Sequence, residues 1–461
     1  DSFAMPAPSS SRSSFAFTNF GEGLHVLVTG GNGYIGSHTV LRLLEEGFVV
    51  TVIDNCSSSN PECLARVRSL VSPMQSSNLY VHDLDLCDML SLKATMMAIT
   101  QLRKVDACIH LAGLRSIGES TRSPLRYHQN NVTGTLNLLE ALSKHGVRQV
   151  VFSSSAAVYG NAKMPVNEKA SVGVGITNPY GRGKFIIEQI FEDLHRSPGG
   201  REWGIVSLRY FNPVGAHSSG KIGEDPNAPP NNLMPYVAQV AVGKREFIAV
   251  GNDFDTPDGT SVRDYIHVMD LAEGHLAAIK KLQSKPRHYA VYNLGTSRGY
   301  SVLEMIQAME RASGLKVTIK DSKKRPGDIA LAYVDSTKAQ TDLNWSTRYD
   351  IDRMCKDLWR WQNANPNGYD KPDKEFGAFK QPTFQASTMP KLSSSSRKPT
   401  PMRRDSKASS TSSRAGSPSG GSQAMRGRGT SMDDLLGGGG LDDDGVPFRG
   451  RGTSMDDLLA G

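Results

Sequence analysis

The chain has 461 residues, of which 38% are hydrophobic, and a formal net charge of +7; this length allows up to about three domains. The residues after Ala386 hold 11 Lys and Arg against 8 Asp and Glu, so the positive charge is spread thinly, which excludes the basic patch of a nucleic-acid-binding protein. No apolar run reaches the roughly 18 to 20 residues of a spanning helix, which excludes a transmembrane protein.

The first predicted elements are alternating strands and helices. An apolar run at 24–29 predicts a buried strand, and an apolar helical face after a glycine-rich turn predicts a helix at 34–46. Further strands are predicted at 49–53, 79–81, 107–111, 149–153 and 204–210, and helices at 132–143 and 180–194. Repeated strands with helix-length crossovers predict an α/β fold with a Rossmann-type, doubly wound parallel sheet.

The alternation stops after Tyr210. Pro- and Asn-rich loops, two helices near 269–281 and 302–312, and short strands predict a smaller α/β lobe at the carboxyl ends of the sheet strands, where such folds bind ligands. The flanking segments are rich in Ser, Gly, Pro and Arg and predict disorder. The expected organisation is an extension at 1–22, a nucleotide-binding domain at 23–210, a partly interleaved substrate lobe at 211–375, and a low-complexity tail at 376–461.

The tail contains the sequence RGRGTSMDDLL twice, at Arg426–Leu436 and Arg449–Leu459. In each copy arginines lie five and three residues before a serine, Ser431 or Ser454, a spacing that basophilic kinases accept. Phosphorylation beside Asp-Asp-Leu-Leu would create a strongly acidic docking motif for an adaptor. The alternative, which the composition favours, is a solvated tail without selected function.

The five cysteines carry no sign of a disulfide or metal framework. They form no CxxC pair and no metal-ligand spacing with His, and they are Cys56, Cys63, Cys87, Cys108 and Cys355. They predict free thiols in a reducing compartment and therefore a cytoplasmic protein without a metal. A Ser-rich, acid-poor transit peptide at the start of the chain stays open as an alternative, although Arg12 is its one basic residue.

A glycine-rich turn follows the first predicted strand. Gly30, Gly33 and Gly36 have the spacing GxxGxxG, which permits a tight turn and brings a pyrophosphate to a helix N-terminus. Asp54 ends the next strand. A carboxylate at that position accepts hydrogen bonds from ribose hydroxyls and repels a 2′-phosphate, so NAD is favoured over NADP. The alternative is that the glycines serve the turn alone and that Asp54 forms a turn before Asn55.

A second constellation comprises Ser155, Tyr180 and Lys184. Tyr180 and Lys184 are four residues apart, so they share a helix face. Asn178-Pro179 predicts an N-cap and a first-turn proline, placing Tyr180 where the helix dipole favours a phenolate. Lowering the pKa of Tyr180 from about 10 to near 7 takes about 4 kcal/mol of preferential stabilisation of the phenolate. Lys184, the helix dipole and a nicotinamide cation are expected to supply it together. An isolated YxxxK is usually an ordinary helix pair, but the upstream turn favours catalysis.

Several runs place the chain in a known family by resemblance. Residues 29–36 (TGGNGYIG), 153–160 (SSSAAVYG) and 180–184 (YGRGK) resemble the extended short-chain dehydrogenase/reductase family. More specific runs at 110–120, 209–217, 231–236 and 262–270 resemble the UDP-galactose (UDP-glucose) 4-epimerases within it. The resemblance extends from about Leu24 to Tyr369.

The resemblance implies reversible inversion of C4 between UDP-glucose and UDP-galactose, a reaction of galactose metabolism. Tyr180 is implied to take the 4-hydroxyl proton while Ser155 binds that oxygen, and hydride passes to bound NAD to give a 4-keto sugar, which turns over and takes the hydride back. A homodimer is expected through the helices at 132–143 and 180–194, with no nucleic-acid or membrane partner.

The same resemblance implies which residues bind the two ligands, with Tyr180 and Lys184 near the nicotinamide. NAD is expected to contact Gly30, Gly33, Tyr34, Ile35, Gly36, Asp54, Asn55, Asp85, Leu86, Ala112, Gly113, Arg115, Asn130 and Phe211. The UDP-sugar is expected to contact Asn212, Asn232, Leu233, Arg263, Arg325, Asp328 and Ala332. For Arg263 and Arg325 a guanidinium fork matches phosphate oxygens, and surface ion pairing is the alternative.

Two positions depart from the narrower family pattern. Arg115 stands where Lys is usual, which alters the expected ribose contact. Ala332 stands where narrower members have a bulky Tyr, so room for an N-acetyl group predicts activity on UDP-GlcNAc and UDP-GalNAc, unless Tyr333 refills the space.

Two other functions compete with this interpretation. A sugar-nucleotide 4,6-dehydratase or decarboxylase is one, but Ala156 and Ala157 follow Ser155 where dehydration commonly needs an acidic residue. A sensor that binds NAD structurally is the other, and the intact Ser155, Tyr180 and Lys184 set disfavours it.

Overall fold

The strands predicted before Tyr210 form one parallel sheet in the protein. The structure, a computed structural model, describes residues 20–199, 202–225, 232–324 and 329–370. The predicted N-terminal extension up to residue 19, the tail with its two repeats, Arg325 and Asp328 lie outside the described residues.

The described residues contain the strands β1 His25–Thr29, β2 Val49–Asp54, β3 Leu79–Asp83, β4 Ala107–His110, β5 Gln149–Ser153, β6 Gly204–Tyr210, β7 Asn212–Val214, β8 Ile248–Gly251, β9 Val262–His267, β10 Tyr289–Leu294, β11 Gly299–Ser301, β12 Ile319–Ser322 and β13 Leu331–Ala332. Seven of them form a parallel sheet in the order β10-β6-β5-β4-β1-β2-β3. The predicted doubly wound α/β fold is confirmed. Strand β10 comes from the chain after Tyr210, so the second half of the sequence returns to the first sheet.

The helices are α1 Tyr34–Glu45, α2 Glu62–Leu70, α3 Pro73–Ser77, α4 Met89–Leu102, α5 Ile117–Arg122, α6 Pro124–Tyr127, α7 Gly134–Lys144, α8 Pro179–Arg196, α9 Leu233–Ala241, α10 Val268–Ser284, α11 Val302–Ser313, α12 Thr337–Leu343 and α13 Ile351–Ala364. The helix predicted at 132–143 starts two residues later as an α-helix, because a π-helix at His128–Thr133 precedes it. The predictions did not include α9. All nine of its residues are buried, so it shows no polar face from which a helical period could be recognised.

A smaller sheet lies in the second half of the chain, with β9 at its centre. Strand β11 pairs with one edge of β9 in antiparallel fashion, and β7 and β13 pair with it in parallel. The pairing of β13 puts Ala332 in register with Arg263. Two residues predicted to contact the same ligand therefore lie side by side.

Helix α8, which carries Tyr180 and Lys184, is anchored to the large sheet by a buried ion pair. Glu188 accepts two hydrogen bonds from Arg209 of β6, at 2.9 Å from Nε and 2.5 Å from Nη2. The hydroxyl of Ser154, just after β5, also donates to Glu188, at 2.5 Å. One carboxylate thus joins α8 to the ends of two strands, which fixes the rotation of α8 about its axis.

We expect Glu188→Gln to lower the free energy of unfolding by about 3–5 kcal/mol, because it leaves the buried Arg209 cation without its counter-ion. Urea denaturation of the full chain measures this. Asp352→Asn is the matched control, since the Arg311–Asp352 pair is 57% and 62% exposed and pairs of that kind contribute about 0–1 kcal/mol. Equal losses in both variants would contradict the anchoring role of Glu188.

Candidate active site

Two adjoining cavities open at the carboxyl ends of the sheet strands. The first is lined by residues that follow β1, β2, β3 and β4, and the second, of about 280 Å³, lies between residues that follow β4, β5 and β6 and residue Ala332 of β13. Four residues line both: Ile35, Arg115, Tyr180 and Tyr210. Molecules in the two cavities would therefore meet beside the Tyr180 side chain.

The glycine turn forms the floor of the first cavity. Gly30 has φ +75°, and a Cβ there would lie 2.6 Å from the backbone nitrogen of Ala112. A Cβ on Gly36 would lie 2.1 Å from the carbonyl oxygen of Gly30. Both contacts are with backbone, so neither position accepts a side chain. Gly33 is the N-cap residue of α1, so the first N–H groups of that helix lie at this cavity.

Asp54 both shapes its own turn and lines the first cavity. Its carboxylate accepts hydrogen bonds from the backbone nitrogens of Asn32 and Cys56, both at 2.9 Å, and from the Ser59 hydroxyl at 3.0 Å. A carboxylate offers about four acceptor positions. The predicted turn-forming role and the predicted ribose contact are therefore compatible in one side chain.

The predicted cap of α8 is confirmed. Asn178 accepts a hydrogen bond from the backbone nitrogen of Gly181 at 2.8 Å, Pro179 is the first helical residue, and Tyr180 lies in the first turn. Ser155 caps a short 3₁₀ helix at Ala156–Tyr159 by accepting a hydrogen bond from the backbone nitrogen of Ala157 at 3.1 Å, and it lies close enough to Tyr180 to lower the pKa of that phenol. Ser155 and Tyr180 both line the second cavity.

Lys184 is fixed by a hydrogen bond to the end of β5. Its Nζ donates to the carbonyl oxygen of Ser153 at 2.6 Å and lies 5.8 Å from the centre of the Tyr180 ring. Burial lowers the pKa of Lys184 to about 8, against the opposing charge of Glu188. Lys184 lines the first cavity, so the ammonium group is available to a ligand there.

The protein's own surroundings raise the pKa of Tyr180. Burial raises it above its ordinary value of 10, and the hydrogen bond from Ser155 and the charge of Arg115 offset this in part. The sequence predicts a lowered pKa from Lys184, the helix dipole and a nicotinamide cation acting together, and this stays a prediction. Desolvation of the phenolate outweighs the favourable contacts, so an additional positive charge is needed to stabilise the anion.

Arg115 projects from a loop that the π-helix holds in place. The Asn131 side chain accepts a hydrogen bond from the backbone nitrogen of Leu114 at 2.8 Å and donates one to the carbonyl oxygen of Leu114 at 2.9 Å. From this fixed loop Arg115 forms an ion pair with Glu224 at 2.8 Å. The sequence prediction named Asn130 but missed Asn131. The two hydrogen bonds between the Asn131 side chain and the Leu114 backbone have no sequence signature.

The structure brings most predicted ligand contacts to the two cavities. Thirteen of the fourteen residues predicted for NAD line the first cavity, and Phe211 lines the second instead. Of the residues predicted for the UDP-sugar, Asn212, Asn232, Arg263 and Ala332 line the second cavity. Leu233 is 5% exposed and packs in the apolar core. Their roles in binding stay predictions.

Some lining residues were missed by the sequence predictions. Tyr210 lines both cavities and hydrogen-bonds to the Ser153 hydroxyl. Asn161 and Met164 line the second cavity from the loop after the 3₁₀ helix. That loop has no helical or strand period, whereas Tyr210 ends a predicted strand beside Phe211 and could have been inferred from that position.

The part of the chain that the structure describes holds no candidate metal site and no candidate membrane-spanning helix. Among these residues, no three or more His, Cys, Asp or Glu side chains are placed to hold a metal ion. No helix in the described part of the chain has the length and apolarity needed to cross a membrane.

Comparisons with known proteins agree with this geometry. The GDP-mannose 4,6 dehydratase family profile matches residues 27–358. UDP-glucose 4-epimerase 2 of Arabidopsis thaliana is 52% identical over 346 residues, covering 75% of this chain and 96% of the relative. UDP-glucose 4-epimerase of Homo sapiens is 51% identical over 352 residues, covering 75% and 98%.

Solved structures give the same result. UDP-glucose 4-epimerase from Bifidobacterium longum, in complex with NAD⁺ and UDP, has a TM-score of 0.69 and 46% identity, covering 75% of this chain and 99% of its own. The UDP-Glc/GlcNAc 4-epimerase from Campylobacter jejuni has a TM-score of 0.63 and 32% identity, covering 74% and 100%.

Proposed function

The chain belongs to the UDP-glucose 4-epimerase family, and from this premise we propose that its first cavity holds NAD and its second a UDP-hexose. It is an NAD-dependent isomerase that interconverts UDP-glucose and UDP-galactose. The observation that carries the assignment of the cavities is their meeting at Tyr180, which lines both. A base at that junction reaches a sugar hydroxyl and the reactive ring of a cofactor together.

The first cavity fits NAD on its own features. Gly30 and Gly36 permit the tight turn, because a Cβ at either position would meet backbone, and Gly33 at the N-cap of α1 would bring the helix N–H groups to a pyrophosphate in this cavity. Asp54 and Asn55 line the cavity where a ribose and its hydroxyls would lie. When bound, NAD supplies the acceptor and donor of hydride for sugar C4, together with a positive ring charge.

In our proposal the protein's own groups handle the proton. Tyr180 takes the 4-hydroxyl proton in one direction and returns it in the other, and Ser155 holds the same oxygen. Burial raises the pKa of Tyr180, so the phenol holds its proton until a further cation is near, and proton abstraction is then coupled to cofactor binding. Lys184, fixed on the Ser153 carbonyl, orients a ribose in the first cavity.

The UDP portion is proposed to lie along β9 and α9. Arg263 lines the second cavity and is 8% exposed, so a phosphate there would meet a largely desolvated guanidinium. Asn212 is fixed by donating to the carbonyl oxygen of Asp264 at 3.2 Å. Asn232 precedes α9 as its N-cap residue. Anchoring the nucleotide leaves the hexose at the junction of the cavities.

The dehydratase alternative finds no support in the second cavity. Ala156 and Ala157 follow Ser155 and line this cavity, and neither can donate or accept the proton that elimination across C5 and C6 requires. The profile that carries a dehydratase name therefore reflects the shared fold.

We also propose a homodimer, a cytoplasmic location and the domain division at residue 210. Leu136 on α7 is 47% exposed and Leu125 on α6 is 83% exposed, and α8 packs against α6. These exposed leucines support an interface that covers α7 and α8.

All five cysteines are free thiols, in keeping with a reducing compartment. The kinase or adaptor at the tail repeats remains a hypothesis from sequence.

An N-acetylhexosamine is proposed as a second substrate. Ala332 is 5% exposed and lines the second cavity. Tyr333 does not refill the space, because a Cβ on Gly299 would lie 3.7 Å from its Cδ1, so its ring lies beside β11. The Campylobacter jejuni relative, named for both UDP-Glc and UDP-GlcNAc, supports a broad pocket.

The epimerase function predicts that the purified protein converts UDP-galactose to UDP-glucose, measured by proton NMR. Tyr180→Phe should reduce kcat by about 10²–10⁴-fold because it removes the general base. Tyr333→Phe is the matched control and should keep full activity. An active Tyr180→Phe variant would contradict the role of this hydroxyl, and an inactive wild type with NAD bound would contradict the substrate.

Ala332→Tyr should reduce turnover of UDP-GalNAc at least about 100-fold while UDP-galactose is still converted, since the phenol ring would fill the space for the N-acetyl group. Ala332→Gly is the control and should keep both activities. Parallel NMR assays on the two substrates measure the ratio. Failure of the wild type to convert UDP-GalNAc would rule out this proposal.

Leu136→Glu should convert the proposed dimer into a monomer in light-scattering measurements, because an unpaired carboxylate at a covered interface is costly. Leu315→Glu is a matched control, as Leu315 is 43% exposed and lies outside α6, α7 and α8. A wild-type protein that is already monomeric would contradict the dimer.

A further inference from the structure

The chain that follows β7 is held in place by side chains from distant parts of the sequence. Residues 215–224, which we call the clamped loop, lie outside any helix or strand, so their backbone groups need partners from elsewhere. Tyr34 donates a hydrogen bond to the carbonyl oxygen of Gly215 at 2.6 Å, and Arg66 donates one to that of Lys221 at 3.2 Å. The clamped loop is therefore tied to α1 and α2, the helices that follow the first two sheet strands.

Helix α13 and the turn after it hold the other half of the clamped loop. The Asn365 side chain donates a hydrogen bond to the carbonyl oxygen of Gly220 at 2.9 Å. Nε1 of Trp361 donates one to the carbonyl oxygen of Glu224 at 2.7 Å, and the Trp361 ring is fully buried in the apolar core. The loop is thus fixed to a rigid helix at the end that carries Glu224.

Tyr369 completes these contacts by using its hydroxyl both as donor and as acceptor. The hydroxyl accepts a hydrogen bond from the backbone nitrogen of Gly223 at 3.0 Å and donates one to the carbonyl oxygen of Gly223 at 3.0 Å. The Tyr369 ring is buried, with its centre 4.8 Å from that of Trp361. A Cβ on Gly223 would lie 2.4 Å from Cγ of Trp361, so this backbone packs directly on the indole. Without the hydroxyl, a buried N–H and C=O would lose their partner.

The clamped loop reaches the cavities through Glu224. The Glu224 side chain is 8% exposed, and its carboxylate lies 2.8 Å from Nη2 of Arg115, which lines both cavities. At the other end of the loop, Gly215 fixes the hydroxyl of Tyr34, which lines the first cavity. Tyr369 lines neither cavity, so its influence on a ligand must pass through the loop.

We propose, on the premise of the proposed function, that Tyr369 is a positioning residue for the retention of NAD. Its hydroxyl keeps the clamped loop closed, so that Glu224 holds Arg115 in the wall of the cofactor cavity. The sugar takes its hydride back from the same cofactor, so NAD need not leave between turnovers. A cavity wall that is braced from behind slows the loss of the cofactor, and the brace is the turn after the last described helix.

The test is the rate at which the purified holoprotein loses NAD in the absence of a sugar substrate, followed by reducing the released NAD with a coupling dehydrogenase. Tyr369→Phe should accelerate this loss about tenfold, the size expected when buried backbone groups lose a partner. Gly223→Ala should accelerate it too, because its Cβ would push the clamped loop away from Trp361. Tyr292→Phe is the matched control and should lose NAD at the wild-type rate. Tyr292 is fully buried, hydrogen-bonds to His288 at 3.0 Å and lines neither cavity.

A double-mutant cycle separates the proposed route from general destabilisation. Glu224→Gln weakens the ion pair with Arg115 and should accelerate the loss of NAD by itself, and Tyr369→Phe should then add little to it. A merely structural hydroxyl would lower the free energy of unfolding, as in Tyr292→Phe, and leave the loss of NAD unchanged.

Two results would overturn the inference: loss of NAD at the wild-type rate in Tyr369→Phe, or additive effects of Tyr369→Phe and Glu224→Gln. A wild-type protein that binds no NAD would refute the proposed function and this inference together. Loss of NAD at the wild-type rate from an NAD-bound Tyr369→Phe variant would refute the inference alone, so the two failures are distinguishable.

Discussion

The buried ion pair between Glu188 and Arg209 is the constraint on which the site depends. It joins α8 to β6, while Ser154 joins the same carboxylate to the end of β5. One helical turn before Glu188, Lys184 reaches the Ser153 carbonyl on the same strand end. Rotation of α8 would break all these contacts together, so the direction of Tyr180 at the start of the helix is set by contacts one to two turns away.

This rigidity explains why a single hydroxyl can serve two cavities. Tyr180 is capped into the first turn of α8 by Asn178 and meets the loop of Arg115 from across the junction. Tyr210 closes the junction from the end of β6 through its bond to Ser153. The polar groups that surround the reacting position are preorganised by strand ends and helix starts, which need not rearrange as charge develops.

The sequence was sufficient to predict six of the seven sheet strands and most of the cavity lining, because both follow from short-range patterns, whereas β10 returns from the second half of the chain. Strand β6 and the cap at Asn178 agree with their predictions residue by residue. Helix α9 was missed because it is buried on every side, and Asn131 because its role depends on a loop 17 residues away. The desolvation that raises the pKa of Tyr180 was not foreseen, since no sequence pattern reports how deeply a phenol is buried.

The central claim is that hydride leaves sugar C4 and returns to it from a cofactor held in the adjoining cavity. The most direct measurement uses UDP-galactose carrying deuterium at C4, incubated with the purified protein in ordinary water and followed by NMR and mass spectrometry. The account predicts UDP-glucose with the deuterium still at C4, because the cofactor stays bound through each turnover. Loss of the deuterium to solvent would show proton rather than hydride chemistry at C4 and would contradict the account.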